Sequence, residues 1–269
     1  MAIESPAVSE EYLELSHGKA RYLVSGTGKP VILLHGVDYT SGGDRWLRTI
    51  NALSQRLRVL APDFPGWGYG DRLDREYSFS FLVDFVREFQ DALGIEHSHI
   101  VGHSMGGWVA SLFAYESPQR VDKLVLVASG GASTRTLPQM TEFTPPSRED
   151  LERFVRTTHR ADDVETTRLV DEALRKTEIP GALQSYRKIL AHMNDPVNRR
   201  HYNILRRLPF ITTPTLIVWG RDDSVNDVEM GEEIHRRIAG SRLVVLENCG
   251  HFVPTECPEQ FNRLLLEFL

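Results

Sequence analysis

The chain has 269 residues, 41% of them hydrophobic and 25% charged, enough to bury a core of one large or two modest domains and too apolar for disorder. Its formal net charge is −6, with basic residues spread among acidic ones, which leaves no electrostatic footprint for nucleic acid or anionic lipid.

At the N-terminus, MAIESPAVSEEYLEL is acidic and lacks the positive region and continuous apolar segment of a secretory signal. No apolar run approaches membrane-spanning length, so no membrane partner is expected. With two cysteines, Cys249 and Cys257, and no N-x-S/T sequon, nothing points to an oxidising compartment, and a cytoplasmic location is the expectation. Next, EYLELS and ARYLVSG flank HGK and predict an antiparallel edge hairpin. Six short apolar runs follow: VILLH (31–35), RVLAPD (58–63), HIVGH (99–103), KLVLVAS (123–129), TLIVWG (215–220) and RLVVLEN (242–248). Apolar on both faces, they predict buried parallel strands. Helical patterns alternate with them, among them SFSFLVDFVREFQDALG, which ends at the helix-terminating Gly94. The fold class is α/β, a mostly parallel doubly wound sheet.

From about Ala132 to Thr213 the alternation stops. SREDLERFVRTTHR, DVETTRLVDEALRKT, GALQSYRKILAHM and DPVNRRHYNILRRL all fit the helical period. Ser147 with Asp150, and Asp163, supply N-cap signals. So long a stretch between adjacent strands predicts a helical lid, residues 132–213, inserted between strands 6 and 7 of a core formed by 1–131 and 214–269. Its entry, TLPQMTEFTPPS, reads as a linker.

Residues 102–106, GHSMG, match G-x-S-x-G between a predicted strand and a predicted helix, the setting of a nucleophile elbow that lifts Ser104 Oγ out of the sheet. A serine hydroxyl needs a base and an orienting acid. Downstream, Asp222 and Asp223 follow one strand and His251 follows the next, at the carboxyl ends where doubly wound sheets place their ligands. GTGK (26–29) lacks the phosphate-loop spacing, and His97 with His99 lacks further metal ligands; no metal and no cofactor is expected. Trp67, Tyr69 and Trp108 are pocket or core aromatics, and Met140, Phe143, Phe154, Leu190, Met193 and Tyr202 are lid positions that either cover a substrate or pack the lid.

LLHG, DFPGWGYGD, GHSMGG, WGRDD and CGHF occur in an order and spacing that resembles the α/β-hydrolase superfamily over nearly the whole chain. The resemblance implies an eight-stranded α/β-hydrolase fold. It implies Asp223 as the triad acid, ahead of Asp222 and Asp227, with Ser104 and His251. It implies an oxyanion hole from the backbone N–H groups of Met105 and Val37, and a loop-bracing His35. Among serine members the chain is most similar to carbon–carbon bond hydrolases of meta-cleavage products, through SMGG, KLVLVASGGAS, PPSREDLERFVRTTHRADDV, RLVDEAL, WGRDDSVN and EQFNRLLLEFL. It departs from them with HGVDYTSGGD at the oxyanion loop, His103 before the serine and Phe252 after the histidine. The implied substrate is a small molecule, a vinylogous diketone acid, whose carboxylate would meet an arginine near Arg175. Asp38, His103, Trp108, Phe143 and Phe252 are further candidates for substrate contact. A carboxylesterase acting on an ester or lactone is the alternative, and a hydrolase-fold ligand receptor, limited to single turnover, is the non-enzymatic one. Homo-oligomer formation is left open by the sequence.

Overall fold

The computed structural model describes residues 6–16, 18–39, 41–137, 143–159 and 162–269. The hairpin pairs β1 (Ser9–Leu15) with β2 (Gly18–Ser25) in antiparallel register. The six predicted strands are β3 (Lys29–Leu34), β4 (Leu57–Pro62), β5 (Ser98–His103), β6 (Val121–Val127), β7 (Thr215–Gly220) and β8 (Arg242–Leu246); β8 departs from the expected burial, because it lies at the edge of the sheet and fully buries only Leu246. The sheet order is β1-β2-β4-β3-β5-β6-β7-β8, and every pair from β4 to β8 is parallel. From β3 the chain first steps outward to β4, then returns to place β5 on the other side. The switch point of the sheet therefore lies between β3 and β5, where a crevice opens beyond the strands' carboxyl ends.

Alternate strand residues face opposite layers. Val31, Leu33, Val59, Val125 and Val218 pack under α1 (Leu47–Leu53), α9 (Val253–Glu256) and α10 (Pro258–Phe268) through Ile50, Leu53, Phe261 and Leu265. Ile32, Leu60, Ile100, Leu126 and Ile217 pack under α2 (Phe79–Ala92), α3 (Met105–Glu116) and α8 (Val228–Arg237) through Phe85, Val109 and Ile234. Each such side chain contributes about 1.5–3 kcal/mol by leaving water. The boundaries of α2 follow its sequence: Ser78 Oγ accepts from the Phe81 N–H at 3.1 Å, and Gly94 sits at φ 64° just past the end. No helix among the described residues is long and apolar enough to cross a membrane.

Between β6 and β7 run α4 (Arg148–His159), α5 (Asp163–Thr177), α6 (Ala182–Asn194) and α7 (Pro196–His201). Ser147 and Asp150 bond reciprocally at the start of α4, as expected. For α5 the cap is Asp162, accepting from the Glu165 N–H at 2.8 Å, one residue before the expected Asp163. The helix expected through 195–208 stops after His201. There the Asn203 side chain accepts from the Leu205 N–H, and the Ile204 N–H turns to the Gly131 carbonyl, 3.0 Å away; such local bonds compete with helix. Met140 and part of the linker lie outside the described residues.

A buried charge cluster joins α5 to the sheet. Arg21 of β2 reaches Glu10, Asp44 and Asp63, and Lys176 of α5 reaches Asp44 at 2.7 Å. Burial alone would raise the Asp44 carboxyl, but the charges of Lys176 and Arg21 hold it well below the usual range. Asp44→Ala leaves two buried cations without their shared carboxylate and is expected to cost about 3–5 kcal/mol in chemical denaturation. Lys176→Met, which leaves the Arg21–Asp44 pair intact, is expected to cost less.

Candidate active site

β5 ends at His103, and α3 begins at Met105, so the turn between them is a single residue, Ser104, at φ 54° and ψ −115°. A non-glycine residue in that region carries about 1–3 kcal/mol of strain and persists only when its surroundings dictate it. Two glycines permit it. A Cβ on Gly102 would lie 2.3 Å from the Gly106 carbonyl oxygen, and one on Gly106 would lie 2.2 Å from that of Leu34, so α3 can start directly against β5 and β3. The Ser104 N–H then donates to Val127 O at 2.9 Å, and its carbonyl accepts from Trp108 and Gly130.

The loops after β7 and β8 complete the line. Ser104 Oγ stands 3.0 Å from His251 Nε2, and His251 Nδ1 stands 2.8 Å from Asp223 Oδ2. Because the carboxylate only accepts, Nδ1 carries the proton, and Nε2 offers its lone pair to the serine hydroxyl. The other carboxylate oxygen, Oδ1, accepts from the N–H groups of Val225 and Asn226 at 2.8 and 2.9 Å. Asp222 is exposed, and Asp227 precedes α8 at its N-cap position without a side-chain cap bond. All three aligned groups are buried. The backbone N–H groups of Val37 and Met105 meet no acceptor among the described residues, and both residues line one cavity of about 120 Å³ with Ser104 and His251.

Two histidines brace this arrangement in neutral form. His35 Nε2 accepts from the Phe64 N–H at 3.0 Å, so its Nδ1–H donates to Gly36 O at 2.8 Å. His103 Nε2–H donates to the carbonyl of His251 at 2.8 Å. Burial, and secondarily the neighbouring His251, pushes the His103 pKa down to about 3.

The other candidates divide. Trp108 and Phe252 line the Ser104 cavity with Met193. Asp38 instead engages Ser41 Oγ and Arg45, and Arg45 in turn meets His159 of α4. Phe143 packs on Tyr39 and Tyr186, ring centroids 5.0 and 4.6 Å away. Trp67 lies in the core, and Tyr69 donates to Glu172. Arg175 is exposed, ion-paired with Glu172 at 2.6 Å, and absent from the cavity lining; the structure does not bring it to the serine. Two further contributors carry no motif in the sequence. Glu256 accepts from the N–H groups of Gly250 and Phe252 at 2.7 and 2.9 Å, clamping both sides of His251. Arg199 reaches the cavity from α7.

Gly106→Ala is expected to destabilise the protein by about 1–3 kcal/mol through overpacking and to lower activity by displacing Ser104. A pH series of chemical denaturation tests the neutral histidines. Unfolded, His103 takes a proton near pH 6.5; folded, it resists protonation down to about 3. The unfolded chain thus binds more protons in that window, so stability is full above about 6.5 and falls as pH drops towards 3. His103→Asn is expected to flatten that slope.

The profile of the family described as alpha/beta hydrolase fold matches residues 29–256. The chain is 34% identical to a 2-hydroxy-6-oxononadienedioate/2-hydroxy-6-oxononatrienedioate hydrolase of Cupriavidus pinatubonensis, over 91% of this chain and 88% of that one. It is 30% identical to a 2-hydroxy-6-oxo-6-phenylhexa-2,4-dienoate hydrolase of Comamonas testosteroni, over 95% and 93%. Among solved structures, a meta-cleavage product hydrolase from Pseudomonas fluorescens IP01 superposes with a TM-score of 0.84 at 29% identity, covering 96% of each chain.

Proposed function

The chain belongs to the alpha/beta hydrolase fold family, and from that premise we propose that it is a serine hydrolase cleaving a carbon–carbon bond in a vinylogous diketone acid, with Ser104, His251 and Asp223 as catalytic residues. The observation that carries this reading is the continuous line from Ser104 Oγ through His251 to Asp223, at 3.0 and 2.8 Å. The substrate class follows the relatives named above, which are similar to the chain over at least 88% of their lengths.

His251 Nε2 takes the serine proton, Asp223 stabilises the resulting imidazolium, and the Met105 and Val37 N–H groups receive the oxyanion. For a diketone acid the triad first assists ketonisation, so that the departing carbon leaves as a stabilised carbanion. Overall, water adds across the bond: the acyl carbon gains hydroxyl and becomes a carboxylic acid, and the departing carbon gains hydrogen. In this reading the helices within 132–213 act as a lid over the serine, and the enzyme works in the cytoplasm on a small molecule. A second reading, carboxylesterase, draws support from the apolar part of the cavity lining, Met105, Trp108, Met193, Met230 and Phe252, which suits an acyl chain without further demands on the triad.

Purified protein assayed on vinylogous 1,5-diketone acids and on activated esters of several acyl lengths separates the readings. Ser104→Ala is expected to lower turnover by roughly 10⁴-fold or more. Full activity in that variant overturns the nucleophile, and rapid ester hydrolysis with no diketone cleavage overturns the carbon–carbon specificity.

A further inference from the structure

The seam between the sheet and the inserted helices holds several cations with acidic partners: Arg45 with Asp38, Arg48 with Glu165, and Lys176 with Asp44. Arg199 has none. It is 6% exposed, and among the described residues no carboxylate lies within ion-pairing distance of it. Its Nη1 and Nη2 donate to the neutral carbonyls of Met193 and Ser133 at 3.2 and 3.3 Å, the long end of the range, and its Nε has no partner among the described residues. An uncompensated buried guanidinium is costly, and the face of Trp108, 5.6 Å from Arg199 Cζ, offsets only part of that cost.

Its surroundings are charged in one sense. The cavity that holds Ser104 is lined by no aspartate or glutamate among the described residues, while Arg199 lines it. Outside it, Arg135 adds a second positive charge close enough to be felt. The guanidinium is also held in place. The Asp195 carboxylate caps α7 through the Asn198 N–H at 2.8 Å, Trp108 Nε1–H donates to Tyr202 O at 2.8 Å, and the Ile204 N–H donates to Gly131 O at 3.0 Å. The helix that begins at the serine is thus tied to the chain just beyond Arg199.

We propose that Arg199 is the anion-binding residue of the Ser104 cavity, and that it selects substrates carrying a carboxylate within that cavity's reach of the serine. A planar fork that meets a carboxylate bidentately fits this task, which an ammonium performs less well. The role rests on Ser104 marking the reaction site, but the anion site itself is measurable without turnover.

The test is calorimetric titration of the four- to six-carbon dicarboxylates succinate, glutarate and adipate into the Ser104→Ala protein, with the neutral diamides of the same acids alongside. At least one diacid is expected to bind, its diamide more weakly. Arg199→Met is expected to weaken that diacid on the order of 10- to 100-fold, and Arg199→Lys by less. Equal binding of diacid and diamide, no binding of any diacid, or an unchanged diacid affinity in Arg199→Met overturns the proposal. Should Arg199→Met fail to fold, the comparison of diacid with diamide decides alone. If Ser104→Ala retains full hydrolase activity, the nucleophile reading fails, while the titration still reports on Arg199.

Discussion

A one-residue turn between a strand and a helix governs the rest of the molecule. With a single residue to reverse direction, α3 must begin against the strand it follows, and this demands missing side chains at Gly102 and Gly106 and a strained backbone at Ser104. The same compression aims Oγ at the end of the sheet, frees the first N–H of α3 beside it, and brings the end of β3 within reach. The switch in strand order at β3 and β5 then leaves room above, and the loops after β7 and β8 deliver Asp223 and His251. One steric constraint thus fixes the positions of groups scattered over nearly 150 residues of sequence.

The strands and the order of Ser104, Asp223 and His251 were legible in the sequence because each depends on local signals: continuous apolar runs, glycines around a serine, and titratable groups directly after strands. Choosing Asp223 over its neighbour needed a resemblance, since burial separates the two and adjacent aspartates look alike in sequence. The backbone amides of Val225 and Asn226 bond the buried carboxylate alone. What escaped were features decided by tertiary packing. NDPVNRRHYN reads as an amphipathic helix, and nothing in its spacing shows that Arg199 turns inward while Arg200 stays exposed. The end of α7 depends on Gly131, more than sixty residues upstream. Asp38, a candidate for substrate contact, finds Arg45 first, and Arg175 finds Glu172 on its own helix face.

Two kinds of electrostatic environment therefore lie side by side. Along the seam with α4 and α5, charges of both signs are matched, and the contact behaves as a structural joint: Arg48 of α1 meets Glu165, and Lys176 meets Asp44. The cavity at the serine is instead lined by Arg199 and by no aspartate or glutamate among the described residues, while the histidines packed beneath the site remain neutral through burial. The neutral His103 matters here. A protonated ring 5.0 Å from that of His251 would oppose the imidazolium that catalysis requires.

The backbone around His251 is pinned at three polar groups: Glu256 accepts from the amides on either side, and His103 donates to the carbonyl between them. The imidazole is thus mounted like a vane on a fixed post. In the proposed reaction, passing a proton from the serine to a departing group would ask only for a small swing of the ring about its own side-chain bonds, with no movement of the loop. In the proposed reading of the inserted helices as a lid, their movement would be uncoupled from proton transfer, because these bonds hold the His251 backbone from within the core.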